Sequence, residues 1–199
     1  MALFDAPDHL QSDAMPPDNL RLTRRNAKIT ARKPRQTDDA ITHLTPLPEF
    51  EESVHMVSNA RFDFWDFVPA LIKMREGQHI THLVASTWII NRMNLKAMFE
   101  LFDAGQIRQI DFITGIYFKS RETAIFNAAV EGFQQRGQRF KALLNHSKFI
   151  SCRFSDGVCL TIESSANFTE NGNIETHVLT NSPVVFAFHA GWMHNLLSK

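Results

Sequence analysis

The chain has 199 residues, of which 44% are hydrophobic and 17 are Phe, which is enough apolar material for one good core. Its 21 basic and 21 acidic residues give a formal net charge of +0, so no global basic character points to nucleic acid. No apolar run reaches the roughly 18 residues of a membrane-spanning helix, and the N-terminus MALFDAPDHLQ is unlike a signal peptide. We therefore expect a cytoplasmic protein without stable membrane insertion.

The first part of the chain lacks apolar periodicity and contains six of the eight prolines. It is predicted to form an extended N-terminal arm over residues 1–55, whether ordered or disordered. A basic group precedes an acidic one within it: Arg21, Arg24, Arg25, Lys28, Arg32, Lys33 and Arg35, then Asp38, Asp39, Glu49, Glu51 and Glu52. Such a charge run is typical of a solvated tail and equally of an arm that contacts phosphates or a partner, and the sequence leaves both open.

Helical and buried extended patterns alternate in the remainder, residues 56–199, which is predicted to be one catalytic domain. Helices are expected in 62–76, 94–105, 121–137 and 184–197, and strands in 79–90, 109–118 and from 139 onward. Strands separated by helices favour a mixed, largely parallel α/β sheet with helices on both faces.

A hairpin is predicted next, because two apolar runs (149–154 and 158–163) flank Asp156-Gly157, a strong two-residue turn signal. If the ladder runs on to its open end, a His and a Lys on the first strand oppose an Asn and a Ser on the second. Directly opposed residues share a sheet face. Four polar groups would then converge in a cluster suited to an anion: His146, Lys148, Ser165 and Asn167.

Further polar candidates are weaker. Tyr117, Lys119 and Arg121 follow a strand and precede a helix, so they are candidates for phosphate binding, although a solvated loop fits equally well. Histidine pairs occur at residues 79 and 82 and at 189 and 194, but neither has a third ligand with convincing spacing. No metal or other cofactor is predicted.

The spacing His146-x-Lys148 followed by Ser165-x-Asn167 resembles the signature of the phospholipase D superfamily. The resemblance covers roughly residues 60–199, extends through Glu175, and is similar to phage- and prophage-encoded members, which implies a phospholipase D-like fold and a bacterial host cell. One position departs from the pattern. The family's Asp falls where this chain has Arg153, and Asp156 in the turn is a poor substitute.

The resemblance implies a metal-independent phosphodiesterase. His146 would attack phosphorus to form a phosphohistidine, Lys148 and Asn167 would hold the non-bridging oxygens, Glu175 would orient His146, and Ser165 would contact the substrate. Small single-motif members are typically nucleases, so DNA is the expected substrate. Because the reaction needs two histidines and the chain carries one motif, a homodimer is expected. A lipid-headgroup phosphodiesterase and a non-catalytic phage structural or binding protein remain as alternatives.

Overall fold

A computed structural model of the chain describes residues 29–59, 62–169 and 172–198. The helices are α1 (Ile29–Leu44), α2 (Phe67–Met74), α3 (Arg92–Asp103), α4 (Phe118–Arg121), α5 (Thr123–Gln135) and α6 (Pro183–Leu197), with a short 3₁₀ turn at Phe64–Asp66 before α2. The strands are β1 (Ser53–Asn59), β2 (Ile80–Thr87), β3 (Ile110–Gly115), β4 (Arg139–Leu143), β5 (Phe149–Phe154), β6 (Cys159–Ser164) and β7 (Ile174–Asn181). In these segments no helix is both long and apolar enough to cross a bilayer.

The strands form one mixed sheet in the order β1-β7-β6-β5-β2-β3-β4. Only the β2–β3 and β3–β4 pairs are parallel, and the other pairs are antiparallel. The prediction of a largely parallel sheet is therefore wrong, although the α/β class is right. Helical crossovers produce the two parallel pairs, whereas β5, β6 and β7 follow one another through short non-helical connections, which place successive strands antiparallel.

Side chains of successive strand residues separate into two hydrophobic clusters. Leu83 and Phe112 belong to a large cluster that includes residues of α1, α2, α3 and α5. Their neighbours Val84 and Ile113 belong to a smaller cluster with Phe186 of α6. Because side chains alternate across a strand, the two clusters lie on opposite faces of the sheet.

The N-terminal part of the described chain is folded onto this sheet. Ala40 and Leu44 of α1 are 0% and 2% exposed and belong to the large cluster, and β1 pairs with β7. The predicted extended arm is therefore wrong for residues 29–55. Over residues 36–44 of α1 the buried positions recur every four residues, and one of the three is the polar Gln36, which hid the apolar pattern. The rest of the predicted arm, residues 1–28, lies outside the described residues.

The hairpin exists, but its register differs by one residue from the prediction. Arg153 is paired with Cys159, and three residues (155–157) connect the strands where a two-residue turn was expected. Phe154 N donates to Val158 O at 2.8 Å, and Gly157 adopts a positive φ of 88°. A Gly with positive φ at the third loop position is typical of a three-residue hairpin connection. The Asp-Gly pair is therefore part of a three-residue loop, and the predicted two-residue turn is wrong.

Candidate active site

The loop that joins β4 to β5, residues 144–148, carries the His-x-Lys pair. These residues were predicted to lie on a strand, but β4 ends at Leu143 and β5 begins at Phe149. β4 is an edge strand, while β5 pairs with β2 on the far side of β3. The loop therefore passes over the carboxyl ends of β3 and β2, which is where ligands bind in sheets of this kind.

Asn145 fixes the start of this loop to the end of β2. Its Nδ2 donates to Ser86 Oγ at 3.0 Å and to Thr87 O at 3.2 Å. Its Oδ1 accepts a hydrogen bond from Ser147 N at 3.2 Å, an arrangement by which Asn side chains commonly stabilise turns. The residue between, His146, is thereby held in a short loop that is anchored on both sides.

Lys148 folds back onto His146. Its Nζ lies 3.1 Å from His146 Nδ1 and donates to His146 O at 2.8 Å. Desolvation by burial lowers the pKa of Lys148, and the negative charge of Glu175 opposes that effect. The two groups of the predicted motif are thus in direct contact, with a carboxylate near enough to act on the ammonium.

The second half of the motif reaches the same place from β6. Asn167 Oδ1 accepts hydrogen bonds from Trp88 N at 3.3 Å and from Thr87 Oγ1 at 3.4 Å. Phe168 N in turn donates to Thr87 Oγ1 at 3.1 Å. The carboxyl end of β2 therefore holds Asn167, and the ring of Trp88 lies 6.1 Å from the ring of His146.

Ser165 and Glu175 form a contact beside this cluster. Ser165 Oγ donates to a carboxylate oxygen of Glu175 on β7 and accepts from Thr176 N at 3.0 Å. The charge of Glu175 also acts on Lys148. The structure thus brings Ser165 and Glu175 to the site, and the role of Glu175 in orienting His146 stays a prediction.

The three candidates near α4 lie in different places. The guanidinium carbon of Arg121 lies 4.9 Å from the centre of the Trp88 ring, so this side chain adjoins the site. Tyr117 is 57% exposed. Lys119 lines a separate cleft with Phe126 and Phe140.

His177 on β7 is a residue of the site region that the sequence did not reveal. Its Nδ1 lies 2.9 Å from Ser164 Oγ and its Nε2 lies 2.7 Å from Ser58 Oγ. Ser164 Oγ also accepts from Ala166 N at 2.8 Å, so His177 supports the backbone that leads to Asn167. Burial, followed by the nearby charge of His43, lowers the pKa of His177 to about 4, and the ring is therefore neutral. His177 and Leu179 are two residues apart and face the same side of β7. That period of two could have indicated a buried position, but the strand was not predicted.

The departures from the family pattern lie away from the cluster. Arg153 packs over the Phe186 ring, with its guanidinium carbon 4.3 Å from the ring centre. Asp156, at the turn end of the hairpin, pairs with Arg75. Neither side chain reaches the end of the hairpin that holds Lys148.

The histidine pairs considered as metal ligands have other partners. His82 Nε2 lies 2.7 Å from a carboxylate oxygen of the buried Asp111, which Arg139 also contacts, and Arg139 Nη1 lies 2.8 Å from His194 Nδ1. His189 Nε2 lies 3.3 Å from Glu163 Oε1. Across residues 29–59, 62–169 and 172–198, no group of three or more His, Cys, Asp or Glu is arranged to hold a metal ion.

No protein-family model matches the chain, and a comparison with curated proteins also finds no match. Among solved structures, polyphosphate kinase from Porphyromonas gingivalis is similar with a TM-score of 0.55 and 13% identity, over 79% of this chain and 28% of the kinase. Nuc from Salmonella typhimurium, a phospholipase D family member, has a TM-score of 0.49 and 16% identity, over 72% of this chain and 93% of Nuc. Yeast tyrosyl-DNA phosphodiesterase has a TM-score of 0.41 and 13% identity, over 64% of this chain and 31% of the enzyme.

At 13% identity, the likeness to the kinase concerns the fold alone. This chain and the matched part of the kinase therefore share a fold. Because this chain spans only 28% of the kinase, the activity of the whole kinase is not carried over.

Proposed function

We propose that the protein is a metal-independent phosphodiesterase in which His146 is the nucleophile. The observation that carries this proposal is the convergence of His146, Lys148 and Asn167 around the carboxyl end of β2, although the first two come from one loop and the third from the end of β6. An imidazole, an ammonium and a carboxamide are the groups needed to attack a phosphodiester and to stabilise its charged oxygens.

Lys148 changes partner when a phosphate binds. Without substrate its ammonium lies against His146 Nδ1, and a protonated Lys148 can donate there only if Nδ1 carries a lone pair, so the ring proton is then on Nε2. A bound phosphate offers Lys148 stronger, charge-assisted hydrogen bonds and draws it from the ring. The ring proton then shifts from Nε2 to Nδ1, and the Nδ1–H group donates a hydrogen bond to Glu175. Nε2 is left with a lone pair and can attack phosphorus.

The first chemical step forms a bond between His146 Nε2 and phosphorus and breaks the bond from phosphorus to the leaving oxygen. That oxygen takes a proton from a second histidine, which then removes a proton from the water that hydrolyses the phosphohistidine. Asn167 presents its amide nitrogen to a non-bridging oxygen, since its Oδ1 already accepts from Trp88 N and Thr87 Oγ1.

The second histidine is His146 of another copy of the chain. The sequence carries one His-x-Lys pair. A twofold axis would bring the same loop of two subunits together across one phosphate. We therefore propose a homodimeric site, and we propose nucleic acid, most simply DNA, as the substrate.

The proposal is tested by incubating the purified protein in EDTA with labelled single- and double-stranded DNA, RNA and a phosphatidyl lipid. We expect cleavage of nucleic acid by wild type and none by His146→Ala, with circular dichroism showing that the variant is folded. Cleavage of the lipid alone would identify a headgroup phosphodiesterase. Binding of nucleic acid without cleavage of any substrate would support a non-catalytic protein and contradict the proposal.

A further inference from the structure

Trp88, the residue that follows β2, links the candidate active site to a cation outside the predicted motif. The centre of its ring lies 6.1 Å from the centre of the His146 ring. The guanidinium carbon of Arg121 lies 4.9 Å from the centre of the Trp88 ring. The chain reaches this arrangement from three separate segments: the ends of β2 and α4 and the loop after β4.

The position of the indole is fixed by its backbone and by the residue beside it. Trp88 O accepts from Gly115 N at 3.0 Å, and Trp88 N donates to Asn167 Oδ1 at 3.3 Å. A Cβ at position 115 would lie 2.4 Å from Trp88 Cδ1, so this close approach requires glycine. The indole therefore packs closely against the end of β3, on a backbone that is hydrogen-bonded on both sides.

Arg121 is oriented by this indole without being neutralised. Within the described part of the chain, none of the ion pairs includes Arg121. A guanidinium stacked on an indole face is held by its interaction with the ring, which uses none of its five N–H donors. A planar, fully charged group with available donors is well suited to phosphate.

We propose that Arg121, held on Trp88, binds a phosphate that neighbours the scissile phosphate, and that the substrate is therefore a strand with successive phosphates. This inference rests on the proposed function, because His146 marks the scissile position. The two distances together set an upper limit on the separation of the guanidinium from the imidazole. A nucleic-acid strand carries one phosphate per nucleotide, about 3.4 Å apart along the helix axis, so a phosphate next to the scissile one can be contacted within this limit.

The test measures binding of a fluorescein-labelled single-stranded DNA oligonucleotide by anisotropy over a range of salt concentrations. His146→Ala protein is used throughout, so that the probe is not cut. We expect Arg121→Gln to weaken binding and to reduce the slope of log K against log salt by about 0.7, the value for loss of one contact to a single strand. Arg108→Gln is the matched control, because Arg108 is also an exposed arginine. It precedes the start of β3, whereas Gly115 and the site lie at the end of that strand.

A second pair of variants tests the role of the indole. Trp88→Leu keeps Arg121 but removes the ring that orients it, so we expect the same decrease in the salt slope. Trp88→Phe retains an aromatic face, so its salt slope should lie between those of Trp88→Leu and the parent protein. An unchanged salt slope and DNA affinity in Arg121→Gln would overturn the inference. Equal decreases of affinity and slope in Arg121→Gln and Arg108→Gln would also overturn it.

Failure of this inference can be told apart from failure of the proposed function. Hydrolysis of bis(4-nitrophenyl) phosphate, a diester with one phosphate, is measured separately with protein that retains His146. Hydrolysis of this diester together with an Arg121-independent salt slope would reject the neighbouring phosphate site and retain the phosphodiesterase. An Arg121-dependent slope without any hydrolysis would support the phosphate site and reject the phosphodiesterase.

Discussion

Lys148 Nζ lies 3.1 Å from Nδ1 of His146, so the proposed nucleophile and the proposed phosphate-binding lysine are in direct contact. This contact distinguishes their roles. The lysine occupies one ring nitrogen, and in the proposed mechanism it is the lysine that moves to bind the phosphate.

The first prediction concerns this pair and Asn167. Lys148→Ala and Asn167→Ala should each reduce kcat on the order of 100-fold or more, as does removal of one oxyanion donor in other enzymes. Lys148→Arg preserves charge but cannot take the same position, so it should recover only part of the rate. Steady-state kinetics give the answer, and a kcat within a few fold of wild type for both alanine variants would remove these residues from the mechanism.

The second prediction concerns Gly115, where an added Cβ would lie 2.4 Å from Trp88 Cδ1 and 2.9 Å from Trp88 O. The second atom is backbone and cannot move away cheaply, so Gly115→Ala should displace the end of β2 that holds Asn167. We expect a loss of about 1–3 kcal/mol in the free energy of unfolding and a decrease in kcat on the order of 100-fold.

Gly191 is the control for that substitution, because nothing lies within 4 Å of a Cβ placed there. It lies inside α6, so Gly191→Ala should stabilise the protein by up to about 1 kcal/mol and leave kcat unchanged. Chemical denaturation and kinetics of both variants provide the comparison. Similar effects of the two alanines would show that the contact with Trp88 is unimportant.

The third prediction follows from the buried, neutral His177, whose pKa is lowered from 6.5 to about 4. Between these values the unfolded chain binds a proton that the folded protein does not, so stability should rise with pH across this window and be lost as pH falls. The slope from one such group is at most about 1.4 kcal/mol per pH unit.

Urea denaturation at several pH values measures that slope. His177→Asn keeps a polar group near Ser164 but cannot titrate, so it should flatten the dependence by close to one proton. His189, whose pKa burial also lowers against the opposing charge of Glu163, is unchanged in this variant and leaves a remaining slope. An identical pH dependence in wild type and variant would mean that His177 does not titrate as described.

The fourth prediction concerns the basic residues that precede α1. Because α1 contributes Ala40 and Leu44 to the core, the deletion must not extend past residue 28 into that helix. Deleting residues 1–28 removes Arg21, Arg24, Arg25 and Lys28, and should weaken nucleic-acid binding and flatten its salt dependence. Deleting residues 1–20, which contain no Lys or Arg, is the matched control. Equal salt slopes for the two truncations would mean that these four charges do not contact phosphate.

The sequence was most informative where the pattern was long or chemically specific. The helix ending before Gly105 has an amphipathic pattern, the strands at 80–87 and 110–115 are almost continuously buried, and all three were located to within a few residues. The sequence also predicted that the residues before and after the hairpin meet at its open end, and the structure places His146, Lys148 and Asn167 around the end of β2. Their catalytic roles stay predictions.

What the sequence did not reveal depends on tertiary contacts. β1 and β7 bury one face only along most of their length and begin or end near loops, so neither has a long apolar run. The hairpin register depends on whether two or three residues connect the strands, and both choices suit Asp-Gly. His146 belongs to a loop because Asn145 and Ser147 pair with the end of β2, a contact between residues far apart in the chain.

The central claim is that His146 forms a covalent bond to phosphorus, and rapid quenching followed by mass spectrometry tests it directly. Wild-type protein is mixed with an oligonucleotide substrate in EDTA, quenched in base, in which a phosphohistidine persists, and digested for peptide analysis. We predict a nucleotidyl adduct on the peptide containing His146, formed within the first turnover and missing in His146→Ala. Turnover in EDTA with no adduct on that peptide, or near-normal turnover by His146→Ala, would contradict the account.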